Sequence, residues 1–181
     1  SSRCLIEGVA IHPTEPWLAA ACADADEQRG AVLVFDAQVG TLLSATEFDD
    51  HVGWSDARDL LRWHPDGARL ATNVGTNGIA VIDRGRVVGH AYPDETRDSG
   101  VRHVWIGEQI FTDTGALFTV QEGDRRFEFD ALAVPALAEM TWNAAIGAVV
   151  GRSGEGLVAV DPRRNALIYQ VSPEPRGAQH W

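Results

Sequence analysis

The 181-residue sequence predicts an all-β protein made of short antiparallel sheets that repeat along the chain. Three observations carry this prediction. A strand-like run that ends in aspartate occurs four times, and turn-forming residues separate the predicted strands. No ten-residue stretch has the hydrophobic period of an α-helix; residues 131–139 come closest, but Pro135 lies in their middle.

The repeated unit sets the expected organisation of the chain. Its aspartates lie 47, 47 and 31 residues apart, so the chain has room for about four units. Repeats of this length are typical of architectures in which each unit buries its faces against its neighbours. The four copies of the strand with its aspartate are residues 32–36, 79–83, 126–130 and 157–161.

The second unit shows the predicted strand order most clearly. An apolar strand leads into the turn His64-Pro65-Asp66-Gly67, in which Pro fixes one φ and Gly accepts a positive φ. Further along, Asn77-Gly78 is the strongest short signal for a β-hairpin. Four antiparallel strands are therefore predicted in this unit, at residues 60–63, 68–74, 79–83 and 86–90.

The other units can be aligned on the second one. In the third, residues 112–115 take the place of the His-Pro-Asp-Gly turn, between predicted strands 101–106 and 116–120. The first unit has Ile11-His12-Pro13 at its turn and a longer acidic loop at residues 24–30. The fourth is shorter, with predicted strands at residues 140–142, 146–150, 157–161 and 166–171.

These motifs together resemble the repeats of WD40-like β-propellers, in a divergent, bacterial-type form. The resemblance covers about residues 4–171 and rests on the order strand, His-Pro-Asp-Gly turn, strand, hairpin, strand with final Asp. Gly89-His90 stands where the family places Gly-His. Family repeats often end the third strand in Trp-Asp; the pairs here are Phe35-Asp36, Ile82-Asp83, Phe129-Asp130 and Val160-Asp161.

The resemblance implies β-propeller blades of four antiparallel strands, stacked around an axis. We expect one propeller segment over residues 1–181, with blades at 4–48, 57–92, 101–139 and 140–171 and a tail at 172–181. WD40-like propellers usually have six to eight blades, whereas about four are predicted here. The chain is therefore expected to be half of a larger ring, closed by a second copy or a partner chain, or else a fragment of a longer polypeptide.

Composition excludes several classes of function. All 15 basic residues are arginine, which removes Schiff-base lysines and the phosphate-binding lysine of a P-loop. A formal charge of −11 without a basic patch argues against nucleic acid and against an anionic membrane surface. The first residues lack the pattern of a signal peptide, and we expect a cytoplasmic location.

Two cysteines, Cys4 and Cys22, are too few for a disulfide framework or a zinc site. If their segments form a hairpin around residues 13–16, the two sulfurs become close neighbours. The preferred interpretation is two small buried thiols.

No metal site or cofactor is predicted. His12 and His64 both precede proline in equivalent turns, which indicates a structural role. Asp24, Asp26 and Glu27 offer oxygen ligands for Ca²⁺, but Arg29 interrupts the pattern, and a solvated acidic loop explains them better.

The predicted partner surface lies on two long connections between units. Trp54, flanked by charged residues, can serve as an interface anchor, and the connection at residues 92–100 is expected on the same side. The contact residues predicted on these two connections are Trp54, Asp56, Arg58, Tyr92 and Arg97.

These expectations favour a non-catalytic protein-binding and assembly module, a scaffold whose partner is another protein or a second copy of itself. The alternative is a propeller hydrolase of lactones or phosphoesters that holds a metal ion in its central channel. That alternative requires carboxylates and histidines that converge on the axis. A third interpretation is a purely structural half-ring inside a larger protein.

Overall fold

The chain folds into four successive β-sheets in a computed structural model. The structure describes residues 4–24, 29–52, 61–75, 78–91, 101–113, 115, 117–119, 124–125, 137–154, 156–164 and 166–171. Over these residues every regular element is a strand, which confirms the all-β prediction. The described part of the chain has no helix capable of crossing a membrane.

The first sheet is a four-stranded antiparallel meander in which each strand pairs with the next. The aspartate that ends its third strand closes the following hairpin: the Asp36 carboxylate accepts the N–H groups of Gln38 (2.8 Å) and Val39 (3.2 Å). This is an Asx-type turn, a conformation that aspartate favours. The equivalent Asp83 does not form it, because its buried Oδ1 has no hydrogen-bond partner. The strands are β1 (Cys4–Ile11), β2 (Trp17–Asp24), β3 (Gly30–Asp36) and β4 (Leu42–Phe48).

The second sheet confirms the strand order predicted for the second unit. The His64–Gly67 turn joins its first two strands, and a tight turn at Arg84-Gly85 joins its last two. A two-residue strand, β12 (Asp124–Arg125), pairs in parallel with the outer edge of this sheet. The antiparallel strands are β5 (Leu61–Trp63), β6 (Arg69–Val74), β7 (Gly78–Asp83) and β8 (Arg86–Ala91).

The third sheet corrects the alignment of the third unit. Residues 112–115 were expected to join its first and second strands, but they follow its second strand. The reason is the position of the first hairpin: Gly107, with φ +56°, and Glu108 form a two-residue turn, and Ile106 pairs with Gln109. The described strands are β9 (His103–Ile106), β10 (Gln109–Thr112) and β11 (Leu117–Thr119). The predicted strand at residues 126–130 lies outside the described residues.

The fourth sheet is again a four-stranded antiparallel meander. Its third strand ends in Asp161, whose carboxylate accepts the N–H groups of Arg163 (3.0 Å) and Arg164 (3.2 Å), as Asp36 does in the first sheet. The strands are β13 (Ala138–Asn143), β14 (Ala148–Ser153), β15 (Gly156–Asp161) and β16 (Ala166–Val171).

The hydrophobic core is divided among the junctions between successive sheets. One cluster joins the first sheet to the second and includes Val32 and Leu70. Another joins the second to the third through Ile79 and Ile110, and another joins the third to the fourth, around Phe111. Among the described residues, none of these clusters connects the fourth sheet to the first.

A disulfide bond joins Cys4 in β1 to Cys22 in β2. The predicted hairpin around residues 13–16 is confirmed, but the interpretation as two buried free thiols is wrong. The strand register explains the bond, because Cys4 pairs with Asp24 and thus lies diagonal to Cys22 on the same face. The two Cα atoms are 5.3 Å apart, a separation that a disulfide spans.

Candidate interaction surfaces

A buried histidine ties the first sheet to the second. The His12 Nε2 donates a hydrogen bond to the Gly67 carbonyl oxygen (2.9 Å) across the junction. Its Nδ1 accepts the N–H groups of Thr14 (3.1 Å) and Glu15 (2.8 Å), so the ring is the neutral Nε2–H tautomer. The ring also meets the Trp63 ring edge-on, with centroids 4.6 Å apart. His12 therefore holds the turns of both sheets together.

His64 repeats this role at the next junction. Its Nε2 donates to the Gly107 carbonyl oxygen (2.8 Å) in the first hairpin of the third sheet. The His64 ring packs edge-on against the Trp105 ring at a centroid distance of 4.8 Å. Both histidines thus have a structural function between sheets.

The same junction carries a cluster of potential metal ligands. His64, Asp66 and Glu108 each place a ligand atom within 4.8 Å of the others. However, the Arg69 guanidinium lies 2.6 Å from a Glu108 oxygen and 4.0 Å from an Asp66 oxygen. This cation already pairs with both carboxylates, and both imidazole nitrogens are engaged, Nε2 with the Gly107 carbonyl oxygen and Nδ1 with Asp66 (2.6 Å). The arrangement is an ion-pair network that fastens the second sheet to the third.

The first sheet leaves one face uncovered. Paired strand positions share a face, and the rows Ile11–Leu18–Phe35 and Val9–Ala20–Leu33 lie opposite the face that packs on the second sheet. Ile11 is 81% exposed and Val9 is 58% exposed. We define the first terminal face by its larger apolar side chains: Ile6, Val9, Ile11, Leu18, Leu33 and Phe35.

The fourth sheet exposes large side chains on its opposite face, although the small Ala159 in the centre of that face is buried. Its rows are Val150–Ala159–Tyr169 and Arg152–Leu157–Val171. Leu157 is 46% exposed and Val171 is 55% exposed. An open groove of about 860 Å³ runs over part of this surface. We define the last terminal face by the residues Val150, Arg152, Leu157, Tyr169 and Val171.

We compared the sequence with known protein families and the fold with solved structures. No protein-family model and no curated protein matches the sequence. The solved β-propeller domain of Cps50 (Swd1) from Myceliophteria thermophila is similar to 95% of this chain, with a TM-score of 0.69 and 15% identity. The chain has the fold of β-propeller blades. The match spans 58% of the length of the Cps50 chain.

A second similar structure is the computationally designed Ika4 protein. The TM-score is 0.58 and the identity 12%, over 88% of this chain and 92% of the designed chain. At such identities both likenesses establish the fold alone. The four sheets are hereafter the first to fourth blades.

Internal repetition shows what the first terminal face is. The His-Pro turns align Ile11 with Trp63 and Val9 with Leu61, and the pairing Ile11–Leu18–Phe35 matches Trp63–Leu70–Ile82. In the second blade these positions pack against the first blade. The first terminal face therefore consists of the positions that the next blade uses to contact its predecessor.

The last terminal face is the complementary type. The row Arg152–Leu157–Val171 corresponds to Asn73–Ile79–Ala91 of the second blade. In the second blade, Ile79 and Ala91 are buried against the third blade. The fourth blade thus exposes the positions with which an earlier blade contacts its successor.

The predicted contact residues cannot be placed on either face. Residues 53–60, with Trp54, Asp56 and Arg58, and residues 92–100, with Tyr92 and Arg97, lie outside the described residues. Sequence reasoning missed the terminal faces because the first and last units have the same apolar alternation as the inner ones. In the structure, β1 carries the exposed apolar residues Ile6, Val9 and Ile11.

A buried histidine makes the fold sensitive to pH. His103 is fully buried at the start of β9; this burial, together with the nearby positive charge of Arg62, lowers its pKa to about 4. The unfolded chain binds this proton below about pH 6.5, whereas the folded chain does not. Its contribution to stability is therefore complete above pH 6.5 and is lost as the pH falls toward 4.

We expect His103→Gln to remove this pH dependence. The stability of the wild type should fall by up to roughly 3 kcal/mol more than that of the variant between pH 6.5 and 4. Urea unfolding at a series of pH values measures the difference. A gap between the two proteins that stays constant across this range would contradict the assignment.

Proposed function

We propose that the chain is a non-catalytic assembly module, a run of propeller blades that completes a ring with a second chain and binds a protein partner. The observation that carries this proposal is the exposure of both terminal faces. Equivalent side chains are buried at every junction between described blades. Fully burying each such aliphatic side chain contributes about 1.5–3 kcal/mol, so covering both faces is strongly favourable.

The exposed apolar side chains are adjacent to one another, which supports an interaction surface rather than scattered surface residues. Single exposed apolar residues are ordinary, but contiguous apolar patches mark interaction sites. Ile6 (66%), Val9 (58%) and Ile11 (81%) are neighbours along one strand of one face. The surface has the form of a blade junction with its other half missing.

Loop presentation is the second part of the proposal. The connection at residues 49–60 leads from β4 to β5, and the connection at residues 92–100 leads from β8 to β9, so each joins one sheet to the next. We propose Trp54, Asp56, Arg58, Tyr92 and Arg97 as the partner contacts there. A rigid blade scaffold supports such loops without changing its own shape.

A cytoplasmic location stays a prediction. The Cys4–Cys22 bond does not favour it, because persistent disulfides are typical of oxidising compartments.

The proposal is tested by the native mass and composition of the assembly isolated from its source. We expect a mass well above the 19.6 kDa of one chain, with a second chain present. Hydroxyl-radical labelling should then show that Val9, Ile11, Leu157 and Val171 are protected. A 19.6 kDa monomer in which these side chains are already protected would contradict the proposal.

A further inference from the structure

We propose that the chain which completes the ring is a second copy of this one. The last terminal face of each copy packs on the first terminal face of the other, and the two copies form a two-fold ring of eight blades. This inference rests on the proposed function and names the partner of the same surfaces.

The two terminal faces are complementary halves of one repeated junction. The first terminal face has the positions that the second blade uses to pack on the first blade. The last terminal face has the positions that the second blade uses to pack on the third blade. A second copy therefore supplies each face with the kind of surface that the interior of the chain already pairs with it. No new mode of packing is required.

Symmetry allows this head-to-tail contact to close. A heterologous contact forms a closed ring when its repeated rotation returns to the start. Two copies close when the four blades of each span half a turn, and the same junction then forms twice. Eight blades also fall within the range of six to eight that the WD40-like resemblance implies.

Charge is complementary at one end of the junction. Glu47 pairs with Ala31 in the row that continues to Cys22, at the edge of the first terminal face. Arg152 is 66% exposed at the corresponding end of the last terminal face. Its contact in the single chain is an exposed ion pair with Glu139 at 3.4 Å, which contributes little. In the ring, Arg152 of one copy and Glu47 of the other lie at the same end of the junction.

The first test is the mass in solution of the wild type and of Ile11→Asp, measured by sedimentation. The wild type should have twice the mass of one chain. Ile11 is 81% exposed, so aspartate costs a single chain little, but in the ring it buries a carboxylate. We expect at least a 100-fold weaker association with circular dichroism unchanged. Val39→Asp is the matched control: Val39 is 72% exposed in the β3–β4 turn, and this variant should remain a dimer.

The second test exchanges charges. Glu47→Arg and Arg152→Glu should each weaken association by about tenfold, since each change affects both junctions. The double variant should regain most of the lost affinity, which a merely structural role of either residue would not produce.

A wild type that stays monomeric at all concentrations would overturn the proposal, and so would a dimer that Ile11→Asp leaves intact. Labelling of the monomer then separates the two claims. If the terminal faces of the monomer are labelled, the ring partner is a different second chain. Protected terminal faces mean that the four blades close on themselves, and the proposed function fails as well.

Discussion

Replacing Gly67 by alanine is expected to lower the free energy of unfolding by about 3 to 5 kcal/mol. Gly67 has φ +78°, a left-handed conformation that costs alanine free energy. A Cβ at this position would also collide with the His12 ring. That ring cannot move aside cheaply, because bonds to Thr14 and Glu15 hold it. Urea unfolding measures the loss.

Two further variants separate strain from collision. Gly107 also has a positive φ, +56°, but open space surrounds its Cβ position, so Gly107→Ala should cost only about 1 to 2 kcal/mol. Adding His12→Ala to Gly67→Ala removes the collision. The double variant should therefore lose less free energy of unfolding than the two single variants lose together. Equal losses for Gly67→Ala and Gly107→Ala would show that the inter-blade contact is unimportant.

Replacing Phe111 by alanine is expected to cost about 3 to 5 kcal/mol and to loosen one end of the molecule. Phe111 is fully buried in the cluster that joins the third blade to the fourth. The described hydrophobic clusters join each blade only to its neighbours along the chain, so the loss should be mainly local. The direct link past the third blade is a hydrogen bond from the Arg62 guanidinium to the Met140 carbonyl oxygen (3.0 Å). Amide hydrogen exchange should increase most in β13–β16.

Leu70→Ala provides the reciprocal experiment. Leu70 is buried in the junction between the first and second blades, and the expected cost is about 2 to 5 kcal/mol. In this variant, amide hydrogen exchange should increase most in β2 and β3. A uniform increase over all blades in both variants would mean that the chain unfolds as a single cooperative unit.

The second blade was predictable because every connection in it has a strong turn signal. His64–Gly67 fixes the first hairpin, and Gly78 of the Asn77-Gly78 pair is the first residue of the third strand. The aspartate repeat was also informative for a physical reason, since Asp36 and Asp161 accept the N–H groups of the turns that follow them. Periodicity and turn chemistry therefore sufficed for fold class and for most strands.

The third blade was misaligned because its first hairpin has almost no signal. Gly107-Glu108 is a two-residue turn inside an apolar stretch, and it lacks the proline that marks His12 and His64. The longer turn at residues 112–115 attracted the alignment instead. The inter-blade bonds were equally hidden, since His12 and Gly67 are 55 residues apart.

The terminal faces could not be predicted because a strand sequence does not reveal what covers it. Leu18 and Leu70 occupy equivalent positions and are both apolar. Leu70 is 1% exposed, whereas Leu18, on the first terminal face, is only half-buried. The difference comes from packing between blades: Leu70 lies in the cluster between the first and second blades, whereas Leu18 lies outside the described hydrophobic clusters.

The disulfide between β1 and β2 has a consequence for how copies of the chain can exchange parts. Strand β1 is the edge of its sheet and pairs only with β2, so it is the natural segment for domain swapping between two molecules. The Cys4–Cys22 bond closes a covalent loop over 18 residues, which by loop entropy alone contributes about 3 kcal/mol. Once oxidised, the strand belongs permanently to its own chain. Copies of the chain then associate without exchanging β1.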